Sequence, residues 1–198
     1  MTNKEKTLDL IRKAGVLRPR DLQPHGIPRT ALRRLEQDGR VRRIARGLYE
    51  LVDSDPTEHI DLMEVCKRVP NGVVCLISAL NFHEMTTQMP YEVWVAIDVK
   101  AHRPNLDRRT VRFVRFSGKA LTFGVETHDI QGVPVRVTSP AKTVADCFKY
   151  RNKIGADVAT EALKDFVRKR KGKMDDLWQA AGACRVKNVM LPYIEAVR

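Results

Sequence analysis

From Ile27 to Leu51 the chain changes its hydrophobic period once, at Gly39, and that change constrains its fold more than any other feature. Before the glycine, Pro28-Arg29-Thr30-Ala31-Leu32-Arg33-Arg34-Leu35-Glu36-Gln37-Asp38 repeats its apolar residues at helical spacing. After it, Val41, Ile44, Leu48 and Leu51 are set among Arg42, Arg43, Ala45, Arg46, Gly47 and Tyr49 with the shorter period of strands. The pattern predicts a short basic helix followed at once by a basic hairpin, the build of a winged helix-turn-helix. A helix of this kind fits the DNA major groove, and the strand pair can reach the neighbouring backbone or minor groove.

The helix signals agree with one another. Gly26 closes what precedes, Pro28 stands where a first-turn proline costs no hydrogen bond, and Gly39 follows the last periodic residue, so the helix is expected over 28–38. At 100° per residue, Ala31, Leu32 and Leu35 share one side. Arg29, Thr30, Arg33 and Gln37 share the other, with Arg34 on a flank. Guanidinium forks suit guanine, an amide suits adenine, and a hydroxyl suits either base or a phosphate, so these polar residues are the candidate readers. In the hairpin, Gly47 is expected to take positive φ, which places Arg46 at the wing tip beside Arg42 and Arg43.

Charge supports the same segment. Residues 1–51 hold 13 Lys or Arg against 6 Asp or Glu, a balance of +7 within +12 for the chain. A solvated basic face is the alternative for any charge run, but here helix, glycine and basic hairpin stand in the right order. Upstream, Leu8, Leu10, Ile11 and Ala14 suit a first helix over 4–14, and Pro19-Arg20-Asp21-Leu22 suits the start of a short second one. Three helices and a wing make a small module with few buried side chains, so packing on the rest of the chain or on a partner is expected.

With 198 residues the chain has room for one or two domains, and 43% apolar residues support a buried core. No apolar run nears the length of a membrane span and no secretory leader is visible, which points to a cytoplasmic protein. Cys66, Cys75, Cys147 and Cys184 lie apart in apolar surroundings, as buried thiols do. His25, His59, His83, His102 and His128 form no ligand-spaced pair, so neither a metal nor another cofactor is expected.

A polar break at Asp53-Ser54-Asp55-Pro56 suggests a boundary, with domains at 1–52 and 53–198. The balance then inverts to 3 basic against 8 acidic over 52–100. Thr57 is placed to cap a helix running to about residue 69, and a further helix is centred on 76–82. Strands are expected over 92–97, 111–116, 126–130 and 133–137, the last two joined at Gln131-Gly132. Ser139 and Pro140 open a helix to Tyr150, and helices over 155–170, 174–183 and 188–197 form a tail. The whole is an α+β protein: a winged helix-turn-helix, then a mixed part with a mostly antiparallel sheet.

Two further features carry weaker chemistry. The block Arg168-Lys169-Arg170-Lys171-Gly172-Lys173 ends a helix, where cations suit the dipole. It reads either as a solvated end or as a contact for DNA phosphate or an acidic partner. Asp98-Val99-Lys100 matches half of a nuclease signature, but neither Glu84 nor Glu92 supplies a well-placed second metal carboxylate. No Gly-rich phosphate loop or nucleophile elbow is present, and the reading is not that of an enzyme.

Asp21-Leu22, Gly26-Ile27-Pro28, Leu32-Arg33-Arg34-Leu35, Gly39 and Ile44-Ala45-Arg46-Gly47-Leu48-Tyr49 resemble the winged-helix domain of the AbiEi antitoxin family. The similarity continues through Arg68-Val69-Pro70-Asn71-Gly72-Val73, Ser78-Ala79-Leu80-Asn81-Phe82-His83, 93–97 and 139–147. It implies a type IV toxin–antitoxin component that represses its own promoter by binding inverted repeats in double-stranded DNA. It also implies a C-terminal part that opposes a nucleotidyltransferase-like toxin without a stable complex. On the helix face and the basic hairpin, Arg29, Thr30 and Arg33 are expected to read bases, and Arg34, Arg42, Arg43 and Arg46 to hold phosphate. Lys142, Thr143, Asp146 and His83 fall in family-like motifs and read as capped polar residues of helices. The alternative is a winged-helix regulator of the same build with no toxin to oppose, its C-terminal part an interaction module.

Overall fold

The computed structural model describes residues 2–45, 47–54, 59–88, 90–106, 111–130 and 132–197. The chain divides into two compact units, residues 1–68 with 129–135, and residues 69–128 with 136–198.

The first unit opens with α1 (Asn3–Ala14), whose N-cap Thr2 accepts from Glu5 N–H while the Glu5 carboxylate accepts from Thr2 N–H. Then come β1 (Val16–Leu17), a 3-10 helix (Pro19–His25), α2 (Thr30–Gln37), β2 (Val41–Ala45), β3 (Leu48–Leu51) and α3 (Ile60–Arg68). The second helix of the motif is thus a 3-10 segment. Pro24 inside it has no N–H to donate, which disfavours a continuous α-helical ladder. The three strands form an antiparallel sheet in the order β1-β3-β2. Leu8, Ile11, Leu22, Ile27, Leu32, Leu35, Val41 and Tyr49 are among the residues of one core beneath it.

The polar break after Leu51 falls inside this unit, because α3 is anchored to the module. Arg18 and Arg20 both donate to the Lys67 carbonyl, Arg20 Nη2 at 3.0 Å, and Lys67 Nζ returns a bond to Val16 O. Asp21 lies between the two cations, 3.1 Å from Arg18 Nη2 and 3.7 Å from Lys67 Nζ. Thr57, the expected cap of this helix, lies outside the described residues.

The second unit comprises β4 (Val73–Val74), α4 (Leu76–Phe82), β5 (Val93–Asp98), β6 (Val111–Phe116), α5 (Lys119–Thr122), β7 (Val125–Ile130) and β8 (Val133–Thr138), although residues 129–135 group with the first unit. It ends with α6 (Pro140–Lys149), α7 (Arg151–Ile154), α8 (Ala156–Arg168), α9 (Met174–Cys184) and α10 (Lys187–Ala196). The sheet order is β6-β5-β4-β8-β7. The α+β class holds, but this sheet is mixed where a mostly antiparallel one was expected. β4 pairs antiparallel with β5, whereas β5/β6 and β4/β8 are parallel. The connection 99–110 between β5 and β6 is long enough for a crossover, which parallel pairing needs.

Helix α6 is the centre of this unit, packed by α4, α8 and α9. Ser139 accepts from Lys142 N–H and Pro140 fills the first turn, as the cap signals predict. Every residue from 141 to 148 is buried. A helix enclosed on all sides is expected to be apolar all round, and this one carries Lys142, Thr143 and Asp146 inside.

Candidate nucleic-acid interface

Local signals place α2. Gly26 turns with φ +65°, Ile27 N–H bonds to Leu22 O at 3.2 Å, and Ile27 is buried. The helix is shorter than the expected 28–38: Arg29 is its N-cap and Asp38 its C-cap. Gly39, at φ +66°, and the Arg40 N–H bond to Leu35 O close its end. Asp38 also holds Lys4 Nζ at 2.5 Å, tying α1 to the end of α2.

Ala31, Leu32 and Leu35 are buried, while Arg29, Thr30, Arg33, Arg34 and Gln37 are exposed. Among the described residues no carboxylate pairs with Arg29, Arg33 or Arg34. The helix therefore offers unneutralised guanidinium groups, a hydroxyl and an amide on its free side.

The wing follows the expected period with one irregularity. Val41 is buried and Arg42 and Arg43 are exposed, but the pairing shifts between Arg43 and Ala45, a bulge that strengthens twist at the start of the turn. Gly47 takes φ +74°, as a tight hairpin requires. Arg46 lies outside the described residues. β1 was missed in the sequence, since two residues carry no periodicity; it pairs Val16 with Glu50 and Leu17 with Tyr49. Glu50 was missed as well. Its carboxylate, 1% exposed, takes Arg42 Nε at 2.6 Å across the strands, and Arg42 Nη2 reaches Ser54 O at 3.3 Å.

The other singled-out residues are dispersed. Asp98 Oδ1 accepts from Lys100 N–H at 2.8 Å, and Glu92 pairs with Arg112 at 2.6 Å, so the nuclease-like carboxylates each serve local structure. His83 Nε2 lies 2.7 Å from Thr138 O, and its ring lies 6.3 Å from that of His128. Thr143 Oγ1 bonds Ser139 O and Thr138 O at 2.8 and 3.0 Å, fastening the first turn of α6. In the basic block, Arg168 and Lys169 each stand 2.7 Å from Asp165, and Lys171 pairs with Glu84 at 3.3 Å. All four cysteines are buried thiols. Among the described residues no three His, Cys, Asp or Glu converge to hold a metal, and no helix is long and apolar enough to cross a membrane.

A helix-turn-helix core, a three-stranded sheet with its wing and a basic outer helix face define the N-terminal segment as a winged-helix module. Residues 5–52 match the family model described as transcriptional regulator, AbiEi antitoxin. The match spans the helices and the wing and stops before α3. No curated protein matches the chain.

Proposed function

We propose that the protein is a cytoplasmic autorepressor and antitoxin of a type IV toxin–antitoxin system. Residues 1–52 bind inverted repeats in its promoter, and residues 53–198 oppose a nucleotidyltransferase-like toxin without a stable complex. Arg29, Thr30 and Arg33 read bases, Gln37 reaches the same groove, and Arg34, Arg42, Arg43 and Arg46 hold phosphate.

The observation that carries this reading is the division of α2 into a buried Ala31/Leu32/Leu35 stripe and an exposed polar face without acidic partners among the described residues. The family match supports regulation and a toxin–antitoxin context.

Co-expression tests it. The adjacent gene is induced in cells holding the full chain, residues 53–198 alone, or the Arg33→Ala/Arg46→Ala double variant. Rescue by all three places antitoxicity in the C-terminal part and makes DNA binding a separate function. A harmless neighbour, or no rescue, removes the antitoxin role and leaves the winged-helix regulator.

A further inference from the structure

We infer that Glu50 is a positioning residue of the wing, holding Arg42 in the orientation in which it meets a DNA phosphate; this rests on the DNA-binding reading above. Glu50 sits on the central strand β3, level with Val16 on one side and Arg42 on the other. Its side chain is 1% exposed, yet that of Arg42 is 45% exposed. A carboxylate so enclosed beside a nucleic-acid surface is unfavourable twice over. It loses its hydration, and its charge opposes that of DNA.

The cost is compounded at Oε2, which is buried and has no hydrogen-bond partner among the described residues. Only Oε1 is engaged, by Arg42 Nε at 2.6 Å. A residue that contributes so little to its own solvation acts through what it holds. Nε is fixed by Glu50 and Nη2 by the Ser54 carbonyl, 3.3 Å away. Nη1 has no partner among the described residues, and the guanidinium is half exposed. Two acceptors on one edge of a planar group set the plane and direct the remaining donor outward. An arginine already held in its bound rotamer loses less side-chain entropy when a phosphate arrives.

The sign of the Glu50→Gln effect decides the matter. If Glu50 acted only as a charge, removing it would raise affinity for DNA; if it positions Arg42, affinity falls. The full chain is titrated by fluorescence anisotropy with a labelled duplex from upstream of its own gene, across a salt series, as wild type, Glu50→Gln, Arg42→Ala, Arg42→Lys and the Glu50→Gln/Arg42→Ala pair. Glu50→Gln is expected to weaken binding about two- to ten-fold with the salt slope retained, because the cation is present but no longer held. Arg42→Ala is expected to lower the slope by about one, and adding Glu50→Gln to it should produce no further loss. Arg42→Lys keeps the charge without the fork and should behave like Glu50→Gln. Binding by Glu50→Gln at or above the wild-type level, or a full additional loss in the pair, overturns the inference. Should Glu50→Gln fail to fold by circular dichroism, wild-type binding by Arg42→Lys overturns it instead. A wild-type chain that binds no duplex defeats the DNA-binding reading, and this inference with it.

Discussion

Lys142 and Asp146 lie one turn apart on α6, both fully enclosed, with the ammonium Nζ 2.5 and 2.6 Å from the two carboxylate oxygens. The Phe116 ring lies 4.9 Å from the same ammonium, and Cys184 Sγ donates to Asp146 Oδ1 at 3.2 Å. Burial pushes the Asp146 carboxyl up, and the pull of Lys142 and of the thiol offsets only part of that. The pair is the polar centre of an otherwise apolar core that includes Cys75, Leu80, Phe148, Leu163 and Phe166.

Breaking that pair from one side leaves a buried charge alone. Lys142→Ala or Asp146→Ala is expected to destabilise the protein by about 3–5 kcal/mol, whereas Lys142→Met combined with Asp146→Leu should recover most of the loss. Urea unfolding checks this. Single variants within about 0.5 kcal/mol of wild type would show that the pair carries no structural role.

On α2, Arg33→Ala is expected to cost about 1–3 kcal/mol of binding and to relax preference at one operator position. Arg43→Ala should weaken all duplexes alike and lower the salt slope by about one. Titrations at matched salt distinguish the two. Both variants binding like wild type would sink the docking arrangement.

His83 gives the second unit a dependence on pH. Burial lowers its pKa, opposed in part by the Thr138 carbonyl and the Glu126 carboxylate and aided by His128 and Lys171. A histidine depressed on folding stabilises the folded state above its unfolded pKa of about 6.5, and that contribution is lost as pH falls through the folded value. Denaturant midpoints should therefore fall from about pH 7 to about pH 5, and His83→Gln, which can still donate to Thr138 O, should flatten the curve. An unchanged curve in the variant would refute the assignment.

The anchor of α3 responds at lower pH. Burial alone would raise the Asp21 carboxyl, but the Arg18 side chain and N–H, together with Lys67, outweigh it and hold the pKa below the usual range. Such a group stabilises the fold above the unfolded pKa of about 3.8 and ceases to do so as pH falls through the folded value. Amide exchange at the C-terminal turn of α3 should accelerate below about pH 4, and Asp21→Asn should show that faster exchange already at neutral pH. Equal protection in variant and wild type at neutral pH would contradict this.

Gly132 has φ +76°, and a Cβ there would stand 2.4 Å from the Ala14 carbonyl carbon. Gly132→Ala is expected to cost at least about 1–2 kcal/mol, since the left-handed conformation alone is unfavourable by that amount. A melting temperature matching wild type would show that the turn relaxes.

What was legible in the chain is what repeats locally. The α2 stripe, Gly47, the Ser139-Pro140 cap and the strands around 93–98, 111–116 and 133–138 are each specified by residues within a turn or a pleat of one another, and the family match falls on the same N-terminal segment. The block 168–173 was legible as charge, and Asp165 is near enough in sequence to pair with Arg168 and Lys169, but the pairing of Lys171 was not legible because Glu84 is 87 residues away.

Composition and periodicity by themselves determined a basic helix, a wing and an α+β remainder, since propensity, caps and amphipathic period act over a few residues. Tertiary structure decided the rest. The two-residue strands β1 and β4, the parallel pairings of β5 with β6 and of β4 with β8, the hold of Arg18 and Arg20 on Lys67, and the burial of Glu50, Lys142 and Asp146 depend on partners far away in the chain. Whether a charged side chain is a ligand contact or a core strut is set by what surrounds it in space, and the local pattern holds no record of that.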